Sequence, residues 1–248
     1  MTNLSDLFLA VSPADSIKQI LDGFWTMDEA AAADRVDSHS DIDMIDMAGL
    51  SVSSATGVNI GTATSFDCLT SDAASPSSLQ HTTNPDNHLG QGSFGAFCWV
   101  EPGILDTGSF IMGRTDNASN ITDSWGLVID SSDFPSMIVT ATNIDYTATF
   151  GTVVDTSSTY FLASYYDFAN DEVGISVNGS AYVTAAVTGK RDNDGDRFFM
   201  GRRGFTANKL YYMGLMNRAG ITRAPLSIDQ VSWLYNGGAG RSYLDIIT

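Results

Sequence analysis

From Lys209 to Gly238 the chain carries two periodicities in succession, and that succession constrains how its fold must close. Lys209-Leu-Tyr-Tyr-Met-Gly-Leu-Met-Asn-Arg-Ala-Gly-Ile221 alternates apolar residues with small or polar ones, the period-two signature of a half-buried strand. Ser227 then offers a hydroxyl N-cap, and Ile228, Val231, Leu234 and Tyr235 recur at helical spacing on one face. Asn236-Gly237-Gly238 stops the helix, because Asn and Gly take the left-handed cap conformation with little strain. A strand, one short capped helix and a glycine stop end the chain.

Elsewhere the signals are those of strands and turns. The clearest is Val173-Gly-Ile-Ser-Val177, Asn178-Gly179, Ser180-Ala-Tyr-Val-Thr184, a hairpin whose Asn-Gly pair suits a type I′ turn because both central residues need positive φ. Of 29 acidic residues only Glu29, Glu101 and Glu172 are glutamates, and lysine occurs only at 18, 190 and 209. Good surface helix formers are therefore scarce, while Thr, Ser, Val, Tyr, Phe and Gly abound. A length of 248 residues suits a single β-sandwich with a substantial core. No repeat at a fixed period appears, which argues against a propeller or solenoid. Many alternating strands must each bury one face, and two antiparallel sheets packed face to face do that. The first and last strands are expected to lie near each other, with Trp25 and Tyr243 as structural aromatics. Ser71 to Leu89 is polar and turn-rich and reads as a long surface loop.

Residues 1–22 differ from the rest of the chain. Leu4, Leu7, Phe8 and Val11 keep a helical spacing, Ser12-Pro13 breaks it, and Ile17, Ile20 and Leu21 mark a second short turn. The reading is an apolar N-terminal arm, 1–22, followed by a sandwich, 23–248. The arm docks either on its own sandwich or on a neighbouring subunit.

Ordered motifs give these elements a family likeness. Trp25-Thr-Met-Asp-Glu29, Arg35-Val-Asp-Ser38, Ser54-Ala-Thr-Gly57 leading to Ala63-Thr-Ser-Phe66, Phe94-Gly-Ala-Phe-Cys-Trp-Val100, Trp125-Gly-Leu-Val-Ile129 and Phe198-Phe-Met-Gly-Arg202 occur in that order before the closing segment. With it, they resemble the concanavalin A-like lectin/glucanase superfamily, specifically laminin-G-like domains of the type found in phage and bacterial proteins. The resemblance covers roughly residues 23–246 and implies an all-β, two-sheet antiparallel jelly roll with a short C-terminal helix, its Trp25–Glu29 segment a strand.

The charge excludes some functions. A formal −17 argues against nucleic acid, which needs clustered Lys and Arg, and it disfavours anionic membranes. No run approaches the ~20 apolar residues of a membrane span, and no signal peptide opens the sequence. The expectation is synthesis in a host cytoplasm. Cys68 and Cys98 form no disulfide framework, and Cys98 beside Trp99 in a strand reads as a free, buried thiol, with pairing the alternative.

Catalytic patterns are missing. The glucanase branch needs two carboxylates about 5 Å apart on one strand face, whereas the three glutamates here are dispersed and Asp171-Glu172, being adjacent, point to opposite faces. His39, His81 and His88 lie in turn-rich segments without a nucleophile elbow. Gly90-Gln-Gly92-Ser-Phe-Gly95 matches a dinucleotide fingerprint only in letters, since a polar loop precedes it and a strand follows. The chain is read as not an enzyme.

Three groups remain as candidate sites. Asp192-Asn-Asp194-Gly-Asp196 reads first as a solvated turn before the Phe198-Phe199 strand, with its alternate carboxylates as a candidate for calcium, a hard ion that prefers oxygen; the EF-hand pattern is not met. Tyr165-Tyr166 and Tyr211-Tyr212 are adjacent pairs, so one ring of each is expected outward, either as a sugar platform or as a cross-strand or oligomer contact. Leu4, Leu7, Phe8 and Val11 are the assembly candidates. Three functions fit: a phage virion decoration or fibre-like protein acting as a homo-oligomer or with other virion proteins, a free carbohydrate-binding lectin, and, last, a glycan-cleaving enzyme. The resemblance to single-domain phage proteins favours the first.

Overall fold

The computed structural model describes residues 12–40, 42–46, 52–56, 62–66, 78–81, 92–105, 108–115, 123–191, 197–203 and 210–248. Within them the chain forms two antiparallel sheets packed as a sandwich. The first contains β1 (Leu21–Trp25), β3 (Ser53–Thr56), β4 (Thr62–Phe66), β6 (Phe94–Pro102), β11 (Tyr160–Asp167), β12 (Glu172–Val177), β13 (Val183–Ala186) and β15 (Gly214–Thr222). The second contains β2 (Ile45–Asp46), β5 (Leu79–Gln80), β7 (Ser109–Thr115), β8 (Asp123–Ile129), β9 (Pro135–Ala141), β10 (Ile144–Thr149) and β14 (Arg197–Met200). Their orders are β13-β12-β11-β6-β15-β4-β3, with β1 also on β15, and β10-β9-β8-β7-β14-β5-β2.

The core between the sheets is aromatic and aliphatic. Trp25, Phe94, Trp125, Tyr166, Phe198 and Tyr212 are all buried in it. Trp25 stacks on Phe198 at 5.6 Å, and Phe94 packs on Trp125 at 4.8 Å. First and last strands do pair: β1 runs antiparallel to the second half of β15, while β4 pairs with its first half. The partner changes around Arg218, where β15 also shifts register against β6 and the backbone is left-handed at φ 46°. A bulge there lets one strand serve two collinear neighbours.

Three helices cover the outer face of the first sheet: α1 (Pro13–Ile20), α2 (Ile228–Tyr235) and α3 (Tyr243–Ile247). Ser227 caps α2 in a reciprocal capping box with Gln230, and Asn236 ends it at φ 50°. Val231 and Leu234 are buried beneath α2, whereas Ile228, expected on the same face, is 39% exposed. Ile17, Leu21, Phe24, Phe97, Trp99, Phe161 and Ile246 join Val231 and Leu234 in this second apolar cluster. Gln230 Nε2 donates to Ser16 Oγ at 2.9 Å and Lys18 Nζ to the Ile247 carbonyl at 2.6 Å, so α1 is tied to both α2 and α3.

Several expectations change. The division at residue 22 falls inside β1, and Ile17 and Leu21 belong to the sandwich's own helical cover; Leu4, Leu7, Phe8 and Val11 lie outside the described residues. The strand expected over Trp25–Glu29 ends at Trp25, because Met27 turns the backbone at φ 64° with its side chain in the core. The stretch read as a surface loop holds β5, whose Leu79 is fully buried and which joins β14 to β2. The Asn178-Gly179 turn forms as expected, at φ 52° and 73°, but its return strand starts only at Val183, after Tyr182 has turned onto Tyr165. Cys98 is a free, buried thiol, and Cys68 lies outside the described residues.

Candidate functional site

With one outer face closed by helices, the other outer face decides what the sandwich can touch. Alternate residues of a strand face opposite sides, so register assigns that face. Phe110 pairs with Val128 and Gly113 with Gly126 across β7 and β8. Gly126 meets Ile138 and Val128 meets Ser136 across β8 and β9. Thr140, Ile138 and Ser136 meet Asp145, Thr147 and Thr149 across β9 and β10. On the other flank Phe199 of β14 pairs with Gly113 and with Gln80 of β5.

The centre of this face is apolar and shut. The Phe110 ring lies over both glycines: a Cβ at Gly113 would sit 2.7 Å from its Cζ, and one at Gly126 2.8 Å from its Cε2. Phe110, Val128 and Phe199 are buried as a third cluster, with Ile138 and Leu210 packed on it. Beside it, the Gln80 side-chain oxygen, oriented to face Arg197, accepts from Nη1 at 2.7 Å and Nε at 3.1 Å.

The β9–β10 flank is open. Asp145, Thr147 and Thr149 are exposed along the edge strand, and Ile138 is half-buried behind them. Thr140 Oγ1 donates to Asp145 Oδ1 at 2.6 Å, and Ser136 Oγ donates to Thr149 Oγ1 at 3.0 Å. The second bond ties the Thr149 hydroxyl to the strand behind it, and the first engages one oxygen of the exposed Asp145 carboxylate. The flank thus presents two threonine hydroxyls and a carboxylate around one apolar side chain, a surface suited to a polyhydroxyl ligand with a small apolar patch. Its period-two polar pattern, Ile144-Asp-Tyr-Thr-Ala-Thr149, was available in the sequence. The turn before it was not obvious, because Thr142-Asn143, at φ 52° and 61°, takes the place usually filled by Asn-Gly.

The tyrosine pairs fare differently from the expectation. Tyr166 and Tyr212 are core residues, fully buried. Tyr165 faces outward from β11 yet is also buried, its hydroxyl donating to Glu172 and its ring against Tyr182. Tyr211 alone of the four is partly exposed, paired through its backbone with Arg202. Packing brings neither pair to a shared platform. Asp192, Asp194 and Asp196 lie outside the described residues, and among those described no group of three His, Cys, Asp or Glu converges as a metal site.

The glutamates are engaged separately. Glu29 accepts from the Val36 amide and lies 3.5 Å from Arg35 Nε; Glu172 holds Tyr165; Glu101 stands opposite Leu215 in β6. Among the described residues no strand carries two of them on one face. No helix among those residues is long and apolar enough to cross a membrane.

A family model described as the concanavalin A-like lectin/glucanases superfamily, of laminin-G type, matches residues 76–232. No curated protein sequence matches the chain. Among solved structures, Trypanosoma rangeli sialidase in complex with 2,3-difluoro-KDN superposes with a TM-score of 0.64 at 12% identity, over 90% of this chain and 34% of the sialidase. This chain therefore spans about a third of that protein's length. Domain 4 of AbnA, an extracellular arabinanase of Geobacillus stearothermophilus in complex with arabinotriose, gives 0.64 at 15% identity, over 86% of this chain and 97% of that domain. Botulinum neurotoxin type C, whose cell entry depends on interaction with two ganglioside molecules, gives 0.60 at 13% identity, over 89% and 52%. At these identities the likeness is one of fold.

Proposed function

Since the chain belongs to the concanavalin A-like lectin/glucanase superfamily, we propose that it is a non-enzymatic, glycan-contacting protein carried in many copies on the surface of a phage virion. The observation that carries the glycan part is the open β9–β10 flank, where Asp145, Thr147 and Thr149 stand exposed while the helices close the opposite face. The fold is lectin-like, and its structural neighbours include domains described with arabinotriose and gangliosides. The dispersed glutamates support binding without cleavage, because retaining hydrolysis needs two carboxylates about 5 Å apart.

The virion part rests on the resemblance of the ordered motifs to phage laminin-G-like proteins and on the apolar spacing of Leu4, Leu7, Phe8 and Val11. A sandwich with its own core leaves such a segment to bury against a second copy or another virion protein. The net charge of −17 keeps free subunits apart until then. Calcium at Asp192, Asp194 and Asp196 belongs to the same reading, and a chelator should then lower the melting temperature, because an ion bound only by the folded state stabilises it.

The test pairs a glycan array with analysis of purified particles. Binding to glycans, weakened about tenfold or more by Asp145→Ala with Thr147→Ala at unchanged melting temperature, supports the site. Cleavage of a bound glycan would overturn the non-enzymatic reading. Recovery of the protein from particles in many copies supports the virion role; its absence from them leaves a free lectin.

A further inference from the structure

We infer that the glycans accepted by this protein are neutral, and that chains ending in a sialic acid or another carboxylate are rejected. The inference rests on the proposed glycan contact at the β9–β10 flank and adds the charge class of the ligand. It comes from where the fold puts its few cations.

The sequence has nine arginines and three lysines against 29 acidic residues. Five of the arginines, Arg35, Arg114, Arg191, Arg202 and Arg218, are buried. Arg35 donates to Thr64 Oγ1 and to the carbonyls of Ala30 and Ala33. The Arg191 guanidinium lies 5.2 Å from the centre of the Phe94 ring and donates to Ser124 Oγ. Burial lowers its pKa to about 10, so it stays charged at neutral pH, but inside the sandwich. Most of the remaining cations are held by the fold as well. Arg223 pairs with Asp22 at 2.5 Å, Lys18 donates to the Ile247 carbonyl at 2.6 Å, and Arg241 lies 4.7 Å from the Trp233 ring centre.

The open flank feels this distribution directly. Its exposed charge is Asp145, one oxygen of which accepts from the Thr140 hydroxyl. A neutral sugar hydroxyl can donate to that exposed carboxylate; a sugar carboxylate can only repel it. Arg197 shares the face but lies on β14, four strand positions from β10. At roughly 4.8 Å per strand that is about 19 Å, well beyond ion-pair reach of a carboxylate held beside Asp145, and its guanidinium is taken by the Gln80 side chain. Arg191 is nearer, through the pairing of its backbone with Ala141, yet its guanidinium points inward over Phe94. Lys190 next to it is drawn to the other sheet's turn, with Nζ 5.5 Å from the Phe168 ring centre. The two cations that the pairing brings nearest the flank, Arg191 and Lys190, are thus both directed onto aromatic rings, and none of the cation contacts named above falls on Asp145, Thr147 or Thr149.

The test is an array of matched pairs, each a neutral oligosaccharide and the same chain capped with sialic acid, read with the full-length protein at two ionic strengths. At about 0.01 M, where the Debye length is about 30 Å, the sialylated member of each bound pair should bind about tenfold more weakly. The gap should narrow at 0.15 M, where screening is stronger, and narrow again with Asp145→Asn. Sialylated members bound as tightly as their neutral partners at low salt, or more tightly, would overturn the inference while leaving the glycan reading intact. Binding to neither member of any pair would overturn the glycan reading itself and this inference with it.

Discussion

The rings of Tyr165 and Tyr182 meet edge-on, with centroids 4.6 Å apart and planes at 82°. Beneath them, a Cβ at Gly174 would sit 2.5 Å from Tyr165 Cε1, so the tyrosine lies down on the bare backbone of β12. An aromatic that leaves the strand on its outer side thus ends as cover for the sheet, with its hydroxyl donating to Glu172. Edge-to-face packing of this kind stabilises a sheet by about 0.5–1.5 kcal/mol beyond the area it buries. It also removes the ring from any ligand.

Such tyrosines make the fold sensitive to alkali. Burial raises the pKa of Tyr165, Tyr166, Tyr182 and Tyr212 above the usual phenol value, because the ionised form loses its solvation. In the unfolded chain each titrates near pH 10. Their contribution to stability is therefore complete below about pH 10 and is lost as pH rises from there through the folded-state values. Urea midpoints should hold between pH 8 and 9.5 and fall above pH 10. A midpoint level up to pH 12 would contradict the burial of these phenols.

Gly113 and Gly151 make a matched pair of substitutions. A Cβ at Gly113 would lie 2.4 Å from the Trp125 carbonyl oxygen, a backbone atom that cannot swing away, whereas at Gly151 nothing lies within 4 Å. Gly113→Ala should destabilise by about 1–3 kcal/mol, and Gly151→Ala should stay within about 0.5 kcal/mol of the parent. Chemical denaturation of both variants checks the contrast.

Asp37 anchors the first strand. Its Oδ1 accepts from the amides of Phe24 and His39, each at 2.9 Å, and its Oδ2 accepts from the Ile42 amide at 3.3 Å and from the Ser40 hydroxyl. Asp37→Ala leaves buried amides unsatisfied and should cost about 3 kcal/mol. Asp37→Asn keeps one acceptor oxygen and should cost less. Equal losses from the two, in denaturant titrations, would count against the hub.

The N-terminal segment divides at Ser12. Ile17 is fully buried under α2 and α3, so Ile17→Ala should cost about 2–4 kcal/mol. Removing residues 1–22 should unfold the sandwich, since it takes away α1 and the start of β1. Removing residues 1–11 should instead abolish assembly while keeping the cooperative melt. A melt lost with the shorter deletion would show that the arm serves the fold and not a neighbour.

Cys98 offers a chemical check on the core. Complete burial pushes its thiol pKa well above the usual range, which leaves almost no reactive thiolate. Iodoacetamide should leave the Cys98 peptide unlabelled in the native protein and label it fully in guanidinium. Labelling at native pH 8 would place the residue elsewhere.

The legible parts of the fold were those written in near neighbours. Asn178-Gly179, the Ser227 cap with its Asn236 stop, and the alternation that becomes β15 each depend on residues within a few positions of one another. The candidate flank was half legible: the alternation of Asp145, Thr147 and Thr149 is plain, but nothing local says that β10 would be an edge strand. β5 was hidden because a two-residue strand has no period to detect, and Leu79 is held only by partners far along the chain, in β14 and β2.

By itself, then, the sequence determined a chain of short strands, the turns between them, one capped helix, and the lack of a paired-glutamate strand. Those depend on backbone preference and side-chain period, which act over two to four residues. Tertiary structure alone decided which sheet face stays open. Ser16 meets Gln230, Lys18 meets the Ile247 carbonyl, and Tyr182 folds onto Tyr165, all through contacts that side-chain period cannot predict. The burial they produce closes one face with helices and leaves Asp145 on the other facing water, because apolar area is removed from solvent only where distant segments meet.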